Sequence, residues 1–130
     1  MSDLEQEVRA EIRFHTGFEC RKGEEVGKSG NVWEIDCIVL GPGGIRFGYL
    51  EVKDTWEDAN QSTYINHMRR AYARMGDFRH KSVPKAVIVG DRRSFGHKDW
   101  GALFDSIDCE LLAYSELEEF IRLVDEESTE

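Results

Sequence analysis

Hydrophobic residues follow a helical spacing in some stretches of the chain and a strand-like spacing in others. Leu4, Val8 and Ile12 recur every four residues near the start, which predicts an amphipathic helix. The run Lys85-Ala-Val-Ile-Val89 is apolar after its lysine, as is typical of a strand that is covered on both faces. Helical and strand-like stretches alternate along the sequence, which predicts an α/β fold.

From end to end, the pattern predicts the element order αβββαβαβα in a single domain, residues 1–124, followed by an acidic tail, 125–130, that frays. A mixed sheet with helices on its faces follows from this order, and residues 22–31 are predicted to form a loop. The predicted elements are a helix at 2–16, strands at 18–21, 32–40 and 45–53, a helix from 62 or 63 to 75, a strand at 85–89, a helix at 98–105, a strand at 110–114, and a helix at 115–124 that opens with the capping box Ser115-Glu-Leu-Glu118.

Charged residues interrupt the two central strands, where a small protein would normally bury valine or leucine. Asp36 lies on the first of these strands, and Glu51 and Lys53 lie on the second. Because side chains alternate along a strand, Glu51 and Lys53 share a face. The pairing register stays open between Asp36 opposite Tyr49 and Asp36 opposite Glu51, and both registers place the aspartate on that same face.

Two neighbouring carboxylates repel each other, so a partly buried pair needs either a proton or a cation between its oxygens. The carboxylates of Asp36 and Glu51, with the peptide carbonyl of Val52, are the hard oxygen ligands that Mg²⁺ or Mn²⁺ prefers. Lys53 beside such an ion can orient a water or offset negative charge on a phosphorane-like transition state. The set predicts metal-assisted phosphodiester hydrolysis, whereas Glu51-x-Lys53 alone would indicate only a surface ion pair.

The same residues resemble the PD-(D/E)xK, or restriction-endonuclease-like, nuclease superfamily. The matching segments are Glu34-Ile35-Asp36 and Glu51-Val52-Lys53, with Glu34 in the place of the proline. The opening of the chain is similar to the archaeal Holliday-junction resolvase and methylation-dependent restriction branches, in the segments Leu4-Glu5-x-x-Val8, Gly17-Phe18 and Gly27-x-x-Gly30.

The resemblance implies an αβββαβ core with a mixed sheet, here with a C-terminal βα extension. It implies a nuclease that depends on Mg²⁺ or Mn²⁺ and acts on DNA, with RNA not excluded, and relatives of this size commonly form homodimers. It also implies that a glutamate on the first helix supports Asp36, Glu51 and Lys53. Glu5 matches best by its spacing to Val8, and Glu7 and Glu11 remain alternatives.

Charge is distributed unevenly along the chain, whose net charge is -9. Residues 105–130 carry ten acidic residues and one arginine, whereas residues 67–98 carry nine lysines and arginines and two acidic residues. The basic stretch indicates either a surface for phosphates or an ordinary solvated helix face. The acidic end favours an alternative function, a catalytically silent interaction or accessory protein of the same fold. The residues predicted to contact nucleic acid are Lys28, Arg69, Arg70, Arg74, Arg92 and Arg93.

Three cysteines, Cys20, Cys37 and Cys109, stand far apart without a CxxC pair. This odd, sparse set predicts neither a disulfide framework nor a zinc site, and it fits a reducing, cytoplasmic location. No apolar run approaches the ~20 residues that span a bilayer, so no membrane partner is expected.

Overall fold

One mixed sheet of five strands organises the part of the chain that the computed structural model describes, which is residues 3–53, 61–90 and 100–129. The strands lie in the order β1-β2-β3-β4-β5; the first three pair antiparallel and the last three parallel. The α/β class and the predicted element order are confirmed. The elements are α1 (Asp3–Thr16), β1 (Glu19–Val26), β2 (Val32–Leu40), β3 (Arg46–Lys53), α2 (Gln61–Gly76), β4 (Lys85–Val89), α3 (Trp100–Asp105), β5 (Glu110–Ala113) and α4 (Leu117–Ser128).

Helices cover both faces of the sheet. Helices α1 and α4 bury Val8 and Phe120 in one core, whereas α2 and α3 bury Met68 and Phe104 in the other. All five residues of β4 are buried, as predicted for a strand covered on both sides. The two cores fix β2 and β3 in the middle of the molecule, where the charged residues of the hairpin lie.

A bulge interrupts β2 at the position of Asp36. Arg21 pairs with Ile38 and Gly23 pairs with Ile35, so β2 carries one more residue than β1 over this interval. Ile35 and Ile38 accordingly enter the same core although they are three residues apart, which regular alternation would not allow. Bulges of this kind redirect side chains, and they are common beside active sites.

Two predicted boundaries differ from the structure by four or five residues, and several others differ by one or two. Strand β1 continues to Val26, so residues 22–26, predicted as loop, are strand. It is an edge strand with mostly exposed side chains, so it needs no apolar pattern to form. Helix α4 continues to Ser128 instead of ending at Val124, and Arg122 pairs with both Glu119 and Glu126 along it.

The cap before α4 also differs from the predicted one. The backbone N–H of Ala113 donates to Glu116 Oε1 at 3.0 Å, within a short 3₁₀ turn, Tyr114–Glu116. The predicted box from Ser115 to Glu118 started two residues too late, because the turn precedes the helix.

Cys20 and Cys37 form a disulfide, and the prediction of no disulfide is therefore wrong. The residues are 17 apart in sequence, but they lie on neighbouring strands with Cα atoms 5.2 Å apart. The third cysteine, Cys109, is buried, and burial raises the pKa of its thiol. The cysteine argument for a reducing compartment loses its premise, and a cytoplasmic location stays a prediction. The described helices include none long and apolar enough to cross a bilayer.

Candidate active site

Asp36 and Glu51 meet between β2 and β3. Cys37 pairs with Leu50, so the next step along both strands sets Asp36 opposite Glu51, the second of the two predicted registers. The backbone N–H of Val52 donates to Asp36 Oδ2 at 2.9 Å, and the backbone N–H of Asp36 approaches Glu51 Oε1 at 3.4 Å. Glu51 is fully buried and Asp36 is partly exposed, so the pair is open to solvent only on the aspartate side.

Burial and a like charge together weaken the acidity of Glu51. Its pKa rises to about 7, first because burial disfavours the charged form and second because the Asp36 carboxylate is close. The charges of Arg74 and Lys53 act in the opposite direction. The cost of keeping Glu51 charged beside Asp36 is relieved by either a proton or a cation between the two carboxyl groups.

Two cationic side chains already approach Glu51. Arg74 Nη1 lies 2.8 Å from Glu51 Oε2, and Lys53 Nζ lies 3.8 Å from the same oxygen. The Arg74 guanidinium carbon also lies 5.7 Å from the centre of the Trp33 ring, within cation–π range. Arg74 was predicted to contact phosphate, and the structure pairs it with Glu51; whether it also meets phosphate stays a prediction.

The glutamates of α1 act on different neighbours. Arg9 Nη2 donates to the Asp36 carbonyl at 2.8 Å, which joins α1 to the bulge. A hydrogen bond to Glu34 raises the pKa of Lys22 most, and the charges of Asp36 and Glu5 add to the effect. The charges of Glu5 and Asp36 therefore both act on Lys22.

The other two helix glutamates lie elsewhere. Burial raises the pKa of Tyr114 first, and the charges of Glu11 and Glu7 raise it further, so both lie on the side of α1 toward Tyr114. Glu11 also contacts His15 Nε2 at 3.1 Å. Of the three alternatives, Glu5 is the one whose charge acts on Lys22 together with that of Asp36, and its role beside Asp36 stays a prediction.

The donor atoms fit a divalent cation held by two carboxylates. The described residues contain no group of three or more His, Cys, Asp or Glu arranged to hold a metal. Mg²⁺, however, is usually bound through one or two carboxylates, with waters and substrate phosphate completing the shell. Asp36 and Glu51 supply such a set, on adjoining strands and joined through backbone hydrogen bonds. The backbone N–H of Val52 donates a hydrogen bond to Asp36. That the Val52 carbonyl binds the metal stays a prediction.

The residues predicted to contact nucleic acid lie on different parts of the chain. Arg69 and Arg70 are exposed on α2. Burial lowers the pKa of His67 first, and the charges of Lys53 and Arg70 lower it further, so Arg70 lies on the side of α2 toward Lys53. Arg92 and Arg93 lie outside the described residues.

The loop that carries Lys28 is attached to the end of α2. Ser29 donates to both carboxylate oxygens of Asp77, through its backbone N–H at 2.9 Å and its hydroxyl at 2.6 Å. Trp33 Nε1 donates to Asp77 Oδ2 at 2.7 Å. A Cβ on Gly27 would lie 1.9 Å from that oxygen, so only glycine allows this approach. The Gly27-Lys28-Ser29 segment is therefore a docking contact for the helix end, and it also fixes Trp33.

We expect Asp77→Asn to lower the melting temperature by several degrees at neutral pH, because an amide cannot accept from Ser29 and Trp33 on both sides. The hydrogen bonds from Ser29 and then Trp33 hold the pKa of Asp77 below its usual range. A depressed carboxyl pKa stabilises the folded protein above the unfolded-state pKa, and this contribution is lost as the pH falls through the folded-state pKa. The difference in melting temperature between wild type and variant should therefore shrink on acidification. Asp125→Asn, on an exposed position of α4, is the matched control, and an equal loss in both variants would contradict the assignment.

Sequence reasoning found three of the charged residues around this site and missed two partners. Asp36, Glu51 and Lys53 were visible because charges interrupt apolar strands. Arg74 was noticed only as part of a basic stretch, and Trp33 carried no signal. Arg74 directly precedes the buried Met75 on α2, a position from which a long side chain can reach the sheet.

Comparisons with known proteins support the fold and carry no function. Neither a protein-family model nor a curated protein matches the chain. A solved structure, described as "Crystal Structure of Protein of Unknown Function AF1548", matches with a TM-score of 0.52 at 17% sequence identity. The match covers 98% of this chain and 67% of that one. At 17% identity, this match shows that the two chains share an overall fold and shows nothing beyond the fold.

Proposed function

We propose that the chain is a Mg²⁺- or Mn²⁺-dependent nuclease with a restriction-endonuclease-like core, which hydrolyses phosphodiester bonds of DNA. The observation that carries the proposal is the meeting of Asp36 with a fully buried Glu51 on adjoining strands, with Lys53 Nζ 3.8 Å from Glu51. A buried acidic group is costly to keep, so a fold that retains Glu51 fully buried beside the partly exposed Asp36 and a lysine favours a catalytic use.

Each residue would have a distinct task. Asp36 and Glu51, with the Val52 carbonyl, would hold the cation, and Glu5 would add negative charge nearby. A divalent cation bound there would polarise the phosphate and lower the pKa of a bound water. Lys53, with a side chain 15% exposed, can donate a hydrogen bond to the attacking water or to a phosphate oxygen as negative charge develops.

The DNA would approach along the exposed arginines of α2. Arg69 and Arg70 are solvent-exposed, and Arg70 lies on the Lys53 side of that helix. Lys28 is exposed on the loop that Asp77 fastens to the other end of the helix. Such contacts set affinity and register rather than sequence preference. A homodimer would present two such sites to the two strands of a duplex.

We expect Arg69→Ala/Arg70→Ala to weaken binding to all DNA sequences alike. Two phosphate contacts would be lost, so the slope of log affinity against log salt should flatten by about 1.8 for duplex DNA. A salt titration in Ca²⁺, which suppresses cleavage, measures this slope. Arg13→Ala/Arg21→Ala removes the same charge from α1 and β1 and should leave the slope unchanged. Equal slopes for wild type and the α2 variant would place the nucleic-acid surface elsewhere.

A cleavage screen with Mn²⁺ tests the function itself. The substrates are duplex, branched and single-stranded DNA and single-stranded RNA. Cutting of at least one DNA substrate that stops on chelation is expected. If none is cut, the second candidate gains support, a catalytically silent accessory protein. The observation that favours this second candidate is the ion pair that Arg74 already makes with Glu51.

A further inference from the structure

We propose that Arg74 is a positioning residue that serves as the internal counter-ion of Glu51. A divalent cation must displace the Arg74 guanidinium from this carboxylate when it binds. The inference rests on the proposed function, because it assumes that Glu51 is a metal ligand. It goes further by giving one arginine of the basic stretch a role at the carboxylate pair.

The geometry sets the two cations in competition. Arg74 Nη1 donates to Glu51 Oε2 at 2.8 Å, whereas the other oxygen, Oε1, faces the backbone N–H of Asp36 at 3.4 Å. Because Glu51 is fully buried, both of its oxygens are enclosed by protein. A divalent ion that binds Glu51 and Asp36 together must therefore take up space and charge beside the guanidinium. Two cations at such short range also repel each other.

The surroundings of Arg74 allow its side chain to move away from Glu51. The Arg74 side chain is 23% exposed, in contrast to its partner. Its Nε is buried and has no hydrogen-bond partner within the described residues, and the hydrogen bond to Glu51 is made through Nη1. The Trp33 ring, fixed through its indole N–H by Asp77, offers a surface on which the cation can remain after it leaves Glu51.

Retention of Glu51 in the metal-free protein is the physical reason for such a residue. A buried carboxylate without a partner is strongly destabilising, and the other cation near Glu51 in the described part of the chain, Lys53 Nζ, is at 3.8 Å. Arg74 lowers this cost until metal binds. The ion pair between Arg74 and Glu51 therefore stabilises the metal-free fold and lowers the affinity of the site for metal.

The test compares the Mn²⁺ affinity of wild type and Arg74→Gln by calorimetry at several pH values above 7, because loss of the Arg74 charge raises the pKa of Glu51 further and a bound proton competes with the metal. We expect the variant to bind Mn²⁺ about tenfold more tightly, because the competing charge is gone. A purely structural role for Arg74 would loosen the site and weaken binding. Arg79→Gln removes the same charge from an exposed position and should leave the affinity unchanged. Unchanged or weaker binding by Arg74→Gln, or equal tightening in both variants, overturns the inference.

A second measurement follows the wild type itself and uses a variant only to assign the signal. The ¹⁵N side-chain signals of the arginines are followed in the wild type during titration with Mg²⁺, with Arg74 assigned by the loss of its signal in Arg74→Lys. The Arg74 signal should shift with the midpoint of metal binding, and a signal that stays in place at saturation overturns the inference. A wild type that binds Mn²⁺ and cuts DNA, with no response at Arg74, refutes this inference alone. A wild type that binds no Mn²⁺ refutes the proposed function and this inference with it.

Discussion

Replacing Glu51 by glutamine, or Asp36 by asparagine, is expected to slow DNA cleavage about a thousandfold or more. Both changes keep the size of the side chain and remove the negative charge that a divalent cation needs. A catalytic cation contributes several kcal/mol of transition-state stabilisation, and each 1.36 kcal/mol is a factor of about ten in rate. Single-turnover cleavage in excess Mn²⁺ measures the effect. Glu24→Gln, on an exposed position of β1, is the matched control and should cut like wild type. A Glu51 or Asp36 variant that cuts at the wild-type rate would show that the site has been assigned wrongly.

The metal-free stability of these variants distinguishes the two carboxylates. The sequence alone predicts that removing either one leaves stability unchanged or raises it. The structure changes this expectation for Glu51, because its removal leaves Arg74 without its carboxylate partner. Glu51→Gln should therefore lower the free energy of unfolding by about 1–3 kcal/mol, and Glu51→Gln/Arg74→Gln should recover part of that loss. Urea denaturation of the single and double variants measures the coupling.

Lys53→Met is expected to reduce turnover by about 10²–10⁴-fold while Mn²⁺ binding is kept. The ammonium lies 3.8 Å from Glu51 and is a proton donor, not a metal ligand. Removing this positive charge should strengthen cation binding slightly, so a loss of rate can be assigned to the reaction step. Turnover at saturating Mn²⁺ and calorimetric Mn²⁺ affinity are measured on the same preparation. Loss of Mn²⁺ binding by a folded Lys53→Met protein would show that its role has been misread.

Local sequence signals were sufficient for most of the fold. Four-residue spacing with a terminal glycine predicted α1, and Gly17 N–H indeed donates to the Arg13 carbonyl at 2.9 Å with a positive φ of 74°. The apolar runs predicted β2 and β4 at their observed bounds. The end of β1 could not be predicted, because an edge strand is stabilised by its backbone pairing with β2 and carries mostly polar side chains.

The parts of the candidate site that could be predicted are the charged residues within apolar strands. The parts that depend on contacts between residues far apart in sequence could not be predicted. Charges within an apolar hairpin indicated Asp36, Glu51 and Lys53 without any tertiary information. The Arg74–Glu51 pair spans 23 positions and depends on how α2 crosses the sheet. The Cys20–Cys37 bond likewise depends on strand pairing, which no cysteine spacing reveals.

Mn²⁺ binding to the isolated protein tests the central claim most directly. Calorimetry, confirmed by electron paramagnetic resonance, is carried out without DNA on wild type, Asp36→Asn and Glu51→Gln, above the Glu51 pKa of about 7, with circular dichroism to verify the fold. The account predicts that the wild type binds Mn²⁺ and that each folded variant loses this binding. A wild type that binds no Mn²⁺, or folded variants that bind it as tightly as the wild type, would contradict the assignment of Asp36 and Glu51 as a metal site.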